Sequence, residues 1–211
     1  MLAMTRQLVE RLRILPGVSA AAVTTNLPTS DDIFGSFNNG MRTPTGGEFQ
    51  SQVKGIGTDY FKVFGMHLRE GRDFALTDQQ GGAPVAIVSQ DLADQWYHGR
   101  ALGQQLDIEV SNAAPVPMRI VGVVPRTWQR GPLHPPLPVV YLPLAQLPAP
   151  TMAIFRELEP LRFAVRGHGN PDDWRAGVRE AVAAVAPEQP IARLRSTRSI
   201  VQASAPAKSS A

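Results

Sequence analysis

The chain contains no cysteine, and this absence excludes disulfide bonds, thiolate metal ligands and cysteine nucleophiles. It does not assign a compartment, because proteins of the periplasm and of the cytosol can both lack cysteine. The sequence also lacks a run of about 18 apolar residues, the length that spans a bilayer. Its start, MLAMTRQLVERLR, has no continuous apolar segment of the kind found in signal peptides. We therefore expect the sequence as given to be a soluble piece.

The motifs of several enzyme classes are absent as well. There is no nucleophile elbow, G-x-S-x-G, and no phosphate-binding loop, G-x-x-x-x-G-K-[ST]. Gly55 and Gly57 lack the third glycine and the acidic residue of a dinucleotide site. The histidines lie roughly thirty or more residues apart, so none share a helix face as metal ligands do. The sequence therefore predicts no enzyme and no cofactor, and a metal site assembled across the fold is the remaining alternative.

What is present is the composition of a folded protein. The chain is 43% hydrophobic and 18% charged, with 19 prolines and 18 glycines, which is typical of a globular domain with many turns. Residues 1–16 carry a formal charge of +2 and residues 191–211 carry +4, so the middle is negative in a chain of net charge +3. Basic ends suit an anionic lipid surface. Ordinary solvated helix faces and a solvated tail explain them equally well.

The most informative segment is residues 60–78. Its aromatic start predicts one or two helical turns that end at Gly65, where a left-handed residue is easily accommodated. A tight turn at Gly71 follows, and then Arg72 stands among carboxylates that can accept its donors. We interpret this arginine as stabilising a bent backbone, and a catalytic clamp is the alternative. The predicted structural motif comprises Tyr60, Phe61, Gly65, Gly71, Arg72, Phe74 and Asp78.

This segment and those after it resemble a known family. The pattern Y-F-x-x-x-G-x-x-L-x-x-G-R-x-F-x-x-x-D, followed by V-A-I-V-S-x-x-L-A and L-G, is similar to the MacB-like periplasmic core domain of FtsX-type ABC transporter permeases. The later segments IVGVV and VYLPLAQ look like the strands that follow in that family. The resemblance covers nearly the whole chain and is most specific over residues 53–146. The matching pieces begin at Tyr60, Val85, Leu102, Ile120 and Val140.

The resemblance implies a non-enzymatic extracytoplasmic domain at the periplasmic face of the bacterial inner membrane. It implies that the native chain continues into transmembrane helices on both sides, that a cytoplasmic ATPase component hydrolyses ATP, and that the transporter is a homo- or heterodimer. Some relatives also use a periplasmic adaptor. In such a protein this domain would relay ATP-driven motion and contact substrate or partner proteins in efflux or export. No alternation of basic and aromatic residues favours nucleic-acid binding.

Hydrophobic patterns predict the elements of the fold. Residues 29–48, 125–138 and 147–160 show no regular period and are expected to be connections. Ser89 is expected to cap the helix that follows it, and Asn170 to cap the one begun by Pro171. The predicted helices are 1–15, 60–64, 90–97 and 171–186. The predicted strands are 18–26, 49–56, 85–88, 105–110, 118–124, 139–142, 161–166 and 191–194, the last parallel to the strand before it.

These elements and the resemblance together predict an α+β fold in two parts. A membrane-proximal, porter-like α/β subdomain would comprise residues 1–66 and 147–195. A β-rich subdomain, residues 67–146, would be inserted into it. Residues 196–211 are expected to form a disordered tail.

Four apolar side chains in the connections are candidate partner contacts: Ile33, Phe34, Phe37 and Trp128. They could form a finger that contacts a partner, or they could fold back onto the core. In an alternative interpretation the chain is a free-standing extracytoplasmic ligand-binding or protein-interaction module, with Trp128 and residues 33–41 lining its site. Apolar spans before residue 1 and after residue 211 in a longer reading frame would favour the permease.

Overall fold

The structure is a computed structural model that describes residues 2–28, 37–109, 114–126, 138–157, 161–188 and 194. The helices are α1 Leu2–Arg13, α2 Tyr60–Phe64, α3 Gln90–Tyr97, α4 Ala149–Glu157 and α5 Arg175–Val185. Single 3-10 turns occupy Leu144–Gln146 and Pro171–Trp174. The strands are β1 Val18–Thr24, β2 Phe37–Arg42, β3 Glu48–Ile56, β4 Glu70–Gly71, β5 Val85–Ser89, β6 Gln105–Ile108, β7 Val116–Val124, β8 Val139–Pro143 and β9 Arg162–Gly167.

Six strands close into a ring in the order β2-β6-β7-β5-β8-β3, because β3 pairs back with β2. The pairs β3–β8 and β5–β7 are parallel and the other four are antiparallel. Side chains alternate between the faces of a strand, so each ring strand sends one set inward. In β6 the inward set, Leu106 and Ile108, is buried, whereas Gln105 is exposed. The ring therefore encloses an apolar core.

A second layer is attached to the ring through β3. Thr24 at the end of β1 pairs with Ile56 at the end of β3, and β9 pairs antiparallel with β1. Helix α1 buries Leu8, Val9 and Leu12 against this layer, and these side chains belong to the same apolar cluster as the ring interior. On the opposite face, α2 packs on a separate cluster of the sheet. One core thus continues from α1 into the ring.

The predicted class is confirmed: the protein has a mixed α and β fold with one large sheet and few helices. The predicted boundary at residue 66 falls between strands of the ring, since β2 and β3 precede it and β5 to β8 follow it. The division into a porter-like and an inserted subdomain stays a prediction. The tail, 196–211, lies outside the described residues.

Two predicted connections contain regular structure. Residues 37–42, placed in a loop, form β2, which pairs with β3 on one side and β6 on the other. The segment FNNGMR has weak strand propensity, so pairing on both edges determines its conformation. Residues 149–157, also placed in a connection, form α4. Prolines at the first positions of a helix are tolerated because no intrahelical donor is lost there.

The predicted caps have different outcomes. Asn170 accepts a hydrogen bond from the Asp172 amide at 3.1 Å, as expected of a cap. Ser89 stands at the cap position of α3 but makes no side-chain capping bond. Its hydroxyl instead accepts the buried Val139 amide at 2.9 Å, which joins β5 to β8. The predicted strand 191–194 lies outside the described residues except for Leu194, which is in neither helix nor strand.

Candidate functional site

The most unusual feature of the interior is a group of buried polar residues near the junction of β1 and β3. Lysine 54 of β3 is only 1% exposed, although lysine is almost never fully buried. The group comprises Lys54 and the buried residues Thr24, Thr25 and Asn26, of which Thr24 and Thr25 also bond to the Gly55 backbone. A polar group of this size inside an apolar core must be held by hydrogen bonds, because an unpaired buried polar atom is costly.

Lys54 is buried because β3 lies between other strands and is covered on both faces. Val53 points into the cluster shared with the ring interior, and Ile56 into the cluster under α2. Lys54 is in register with Tyr141 of the parallel strand β8. This burial lowers the pKa of the Lys54 amine to about 7, because a low-dielectric interior disfavours the charged form.

Side chains donate several hydrogen bonds to the backbone carbonyls that directly follow β1. The Lys54 amine donates to the Leu27 carbonyl at 3.5 Å, and the Arg162 guanidinium donates to the Thr25 carbonyl at 3.0 Å. The Thr24 hydroxyl donates to the Asn26 carbonyl at 2.9 Å. Three successive carbonyls, 25, 26 and 27, are therefore bound by side chains. This fixes the direction in which the chain departs towards residue 28.

Aromatic rings form the apolar surroundings of this group. The rings of Tyr60 and Phe61 lie 5.9 and 5.1 Å from the Tyr141 ring, centre to centre. These distances are typical of favourable aromatic pairs. Burial, and then the nearby Tyr141, raise the pKa of the Tyr60 hydroxyl well above its usual value. Among the described residues, the Tyr60 hydroxyl has no hydrogen-bond partner.

The second half of the predicted motif forms a clamped loop beside the ring. The Arg72 guanidinium donates to both carboxylate oxygens of Asp78, at 2.7 and 3.0 Å. Asp78 also accepts the Ala75 amide at 2.8 Å. The hydrogen bonds from Arg72 hold the pKa of the Asp78 carboxyl below its usual value, and Asp78 in turn raises the pKa of Arg72. The pair closes residues 72–78 into a compact turn.

The seven predicted motif residues thus fall into two groups. Tyr60 and Phe61 lie in the core under the sheet, and Gly65 ends α2 with a positive φ of 68°. Gly71, Arg72, Phe74 and Asp78 form or flank the clamped loop, where Phe74 is buried. Their assignment as a structural motif remains a prediction.

The predicted partner-contact residues are mostly outside the description. Ile33, Phe34 and Trp128 do not lie among the described residues. Phe37 begins β2, where only its backbone is described. Sequence reasoning missed Lys54, because a lysine that follows Ser51 and Gln52 in the same strand gives no sign that it is buried.

The described residues hold no group of three or more histidines and acids that could bind a metal ion. None of the helices described combines the length and the apolar content that a membrane span needs. The Lys54 amine donates a hydrogen bond to a backbone carbonyl, and the Arg72 guanidinium donates to the Asp73 carbonyl and the Asp78 carboxylate.

Comparison with known proteins identifies a matching family. The MacB-like periplasmic core domain family matches residues 2–181. The macrolide export ATP-binding/permease protein MacB 1/2 of Paracoccus denitrificans is 34% identical over 103 residues, 48% of this chain and 14% of that protein. The chain thus spans a small part of the length of this relative.

Solved structures share the fold. The periplasmic region of MacB from Actinobacillus actinomycetemcomitans has a TM-score of 0.56 at 15% identity, covering 86% of this chain and 73% of that one. The extracellular domain of the transporter YknZ from Gram-positive bacteria has a TM-score of 0.53 at 16% identity, covering 87% and 82%. Because the family matches almost the entire chain, this protein belongs to the MacB-like periplasmic core domain family of ABC transporter permeases.

Proposed function

We propose that this domain works at the periplasmic face of the bacterial inner membrane as a non-enzymatic part of an ABC transporter permease. It relays ATP-driven motion from membrane spans of the same longer chain to substrate or partner proteins in efflux or export. The observation that carries the proposal is the single apolar core that joins α1 to the ring. A domain built around such a core can transmit a displacement without itself performing chemistry.

Helix α1 is the element through which motion would enter. Its 12 residues span about 18 Å at 1.5 Å per residue. Its last turn is tied to the start of α2, because Arg13 donates to Thr58 at 2.9 Å and pairs with Asp59 at 3.0 Å. Close-packed interiors resist compression. A displacement of α1 would therefore move the sheet and the ring together.

The partners follow from this proposal. A cytoplasmic ATPase component would hydrolyse ATP, because the chain has no phosphate-binding loop of its own. A second copy of the chain or a related chain would complete a dimer, and in some systems a periplasmic adaptor would receive the motion. The name of the Paracoccus relative, which joins an ATP-binding part to a permease, supports an ATPase partner.

The proposal can be tested by distance measurements in the full-length transporter. The chain lacks native cysteine, so Arg6→Cys, on the exposed side of α1, would introduce one label site per domain. Pulsed electron spin resonance should show different distances between the two copies in the nucleotide-free and ATP-bound states. Unchanged distances in a transporter that hydrolyses ATP and exports its cargo would contradict the proposal.

We also propose that Ile33, Phe34, Phe37 and Trp128 contact a partner. Support comes from the base of the segment that carries the first two, where side chains bind three successive carbonyls. A fixed base lowers the conformational entropy that is lost when a segment binds. The segment in question would be residues 29–36, because residues 37–42 belong to the ring.

The test of this contact must leave β2 intact. The double variant Ile33→Ser/Phe34→Ser should keep the wild-type urea midpoint while photo-crosslinking from position 29 to other transporter components is lost. A matched control is Leu76→Ser, which changes a leucine that is 68% exposed on the clamped loop and should leave crosslinking unchanged. A lowered urea midpoint in the double variant would show instead that these side chains belong to the core.

A further inference from the structure

A cleft opens where the end of α1, the end of β9 and the start of α5 meet. Its volume is about 400 Å³, which is within the range of small-molecule sites. Both apolar and polar side chains line it. The lining residues are Leu15, Pro16, Gly17, His168, Asp173, Trp174 and Gly177.

Three glycines allow the walls of this cleft to approach one another. A Cβ on Gly167 would lie 2.5 Å from Cζ2 of the Trp174 indole, and a Cβ on Gly177 would lie 2.9 Å from a Leu15 methyl. A Cβ on Gly17 would lie 3.2 Å from the His168 carbonyl. Side chains at these positions would separate the walls. The indole is thus held in place along its edge and half-buried.

The polar side chains of the cleft are available to a ligand, although Asp173 also lies in a first helical turn, where a negative charge is favoured. Within the described part of the chain, the side chains of His168, Asp173 and Trp174 have no hydrogen bond or ion pair. The neighbouring acid, Asp172, differs because it pairs with Arg175 at 2.6 Å. Asp173 therefore brings to the cleft that the Trp174 indole also lines a carboxylate without a bonded partner among the described residues.

We propose that this cleft binds a small organic cation with an apolar body. Aromatic rings attract cations to their faces, most strongly for tryptophan, and a carboxylate in the same cleft adds a charge of the opposite sign to that of the ligand. Leu15 and Pro16 provide apolar surface for the rest of the ligand. The site is separate from the proposed relay of motion, and the proposal stands or falls independently of it.

The test uses the 211-residue chain and three probes that share a phenyl group: phenethylammonium, neutral 2-phenylethanol and anionic 3-phenylpropionate. The readout is the indole N–H resonance of Trp174 in a two-dimensional NMR spectrum, assigned with Trp174→Phe. The ammonium probe should shift this resonance saturably and bind about fivefold more tightly than the alcohol. The carboxylate probe should bind more weakly than either.

Two adjacent acids provide the matched variants. Asp173→Asn should abolish the preference for the ammonium probe, whereas Asp172→Asn should retain it because that carboxylate already pairs with Arg175. Both residues are exposed, so both variants should fold, as their remaining resonances would show. The proposal is overturned by equal affinity for the cation and the alcohol, by no saturable shift up to about 50 mM probe, or by identical behaviour of the two variants.

Discussion

Two basic side chains, one on a loop beside the ring and one inside the sheet, show how differently this fold treats positive charge. Arg72 is half-exposed and pairs with both oxygens of Asp78, which raises its pKa. Lys54 is buried and bonded to a backbone carbonyl, and burial lowers its pKa to about 7. The arginine closes a surface turn, and the lysine fixes the chain at the junction of the ring and the second layer. The position of each side chain in the fold, rather than its charge, therefore determines the direction of its pKa shift and the group to which it bonds.

The largest expected effect concerns the clamped loop, at Gly71. Its φ is +76°, and a Cβ there would lie 2.1 Å from the Val121 carbonyl oxygen. Gly71→Ala should therefore cost about 3–5 kcal/mol of unfolding free energy or prevent folding. Urea denaturation followed by circular dichroism measures this.

Gly81→Ala is the matched control. Gly81 also has a positive φ, +86°, but nothing lies within 4 Å of its added Cβ. Only the left-handed backbone is then penalised, by about 1 kcal/mol. Similar losses in the two variants would show that the close approach of β4 and β7 does not matter.

The second prediction concerns the buried lysine, Lys54. Its pKa is lowered from 10.5 to about 7 on folding, so the unfolded state binds more protons between these values. Stability then rises with pH across that window, and the full penalty of the buried amine is present below about pH 7. Lys54→Met should be more stable than wild type at pH 7, by on the order of 2–4 kcal/mol, and this gain should shrink towards pH 10.

Loss of the hydrogen bond to Leu27 reduces that gain by an amount independent of pH, so the pH trend is the informative quantity. Lys62→Met, on the exposed side of α2, is the control and should change stability by less than about 0.5 kcal/mol at every pH. A gap between Lys54→Met and wild type that stays constant from pH 6.5 to 9.5 would contradict the account.

The third and smallest effect concerns the Arg72–Asp78 pair. Because its guanidinium is half-exposed and screened by solvent, Asp78→Asn should cost only about 1–2 kcal/mol near neutral pH. The pKa of Asp78 is lowered by the Arg72 hydrogen bonds, so its contribution is present above the ordinary aspartate pKa and is lost as the pH falls below about 4.

Asp73→Asn sharpens this prediction. Burial raises the pKa of Asp73, so its ionised form is destabilising and the sign is reversed. Its stability difference from wild type should change with pH in the opposite direction from that of Asp78→Asn. Thermal unfolding between pH 3 and 7 compares them, and parallel curves would show that the two carboxyls do not differ in environment.

Periodic segments of the sequence were predictable because local pattern and fold agree there. The apolar stripe of α1, the apolar run 85–88 of β5 and the alternation of β6 each specify their own burial. The residues Asn170 and Gly65 were also sufficient to predict where one helix starts and another ends, because a cap depends only on the neighbouring backbone. The family resemblance came mainly from residues 53–146, where the matching motifs follow one another closely along the chain.

The rest could not be predicted, because distant partners determine it. Strand β2 is formed by pairing with β3 and β6, which local propensity does not encode. Ser89 bonds to an amide fifty residues away in place of its own helix. Lys54 looks like a solvent-facing residue in a half-buried strand, and only closure of the ring together with the packing of α2 covers both faces of β3. The cleft at Trp174 likewise joins three separate segments.

Whether α1, with the second layer, and the ring move as one body is tested most directly by one intramolecular distance. Spin labels at Arg6→Cys on α1 and Gln104→Cys beside β6, both exposed positions, would be placed in one copy of the full-length transporter. The account predicts the same distance in the nucleotide-free and ATP-bound states while the distance between copies changes. An intramolecular distance that changes as much as the distance between copies would contradict it.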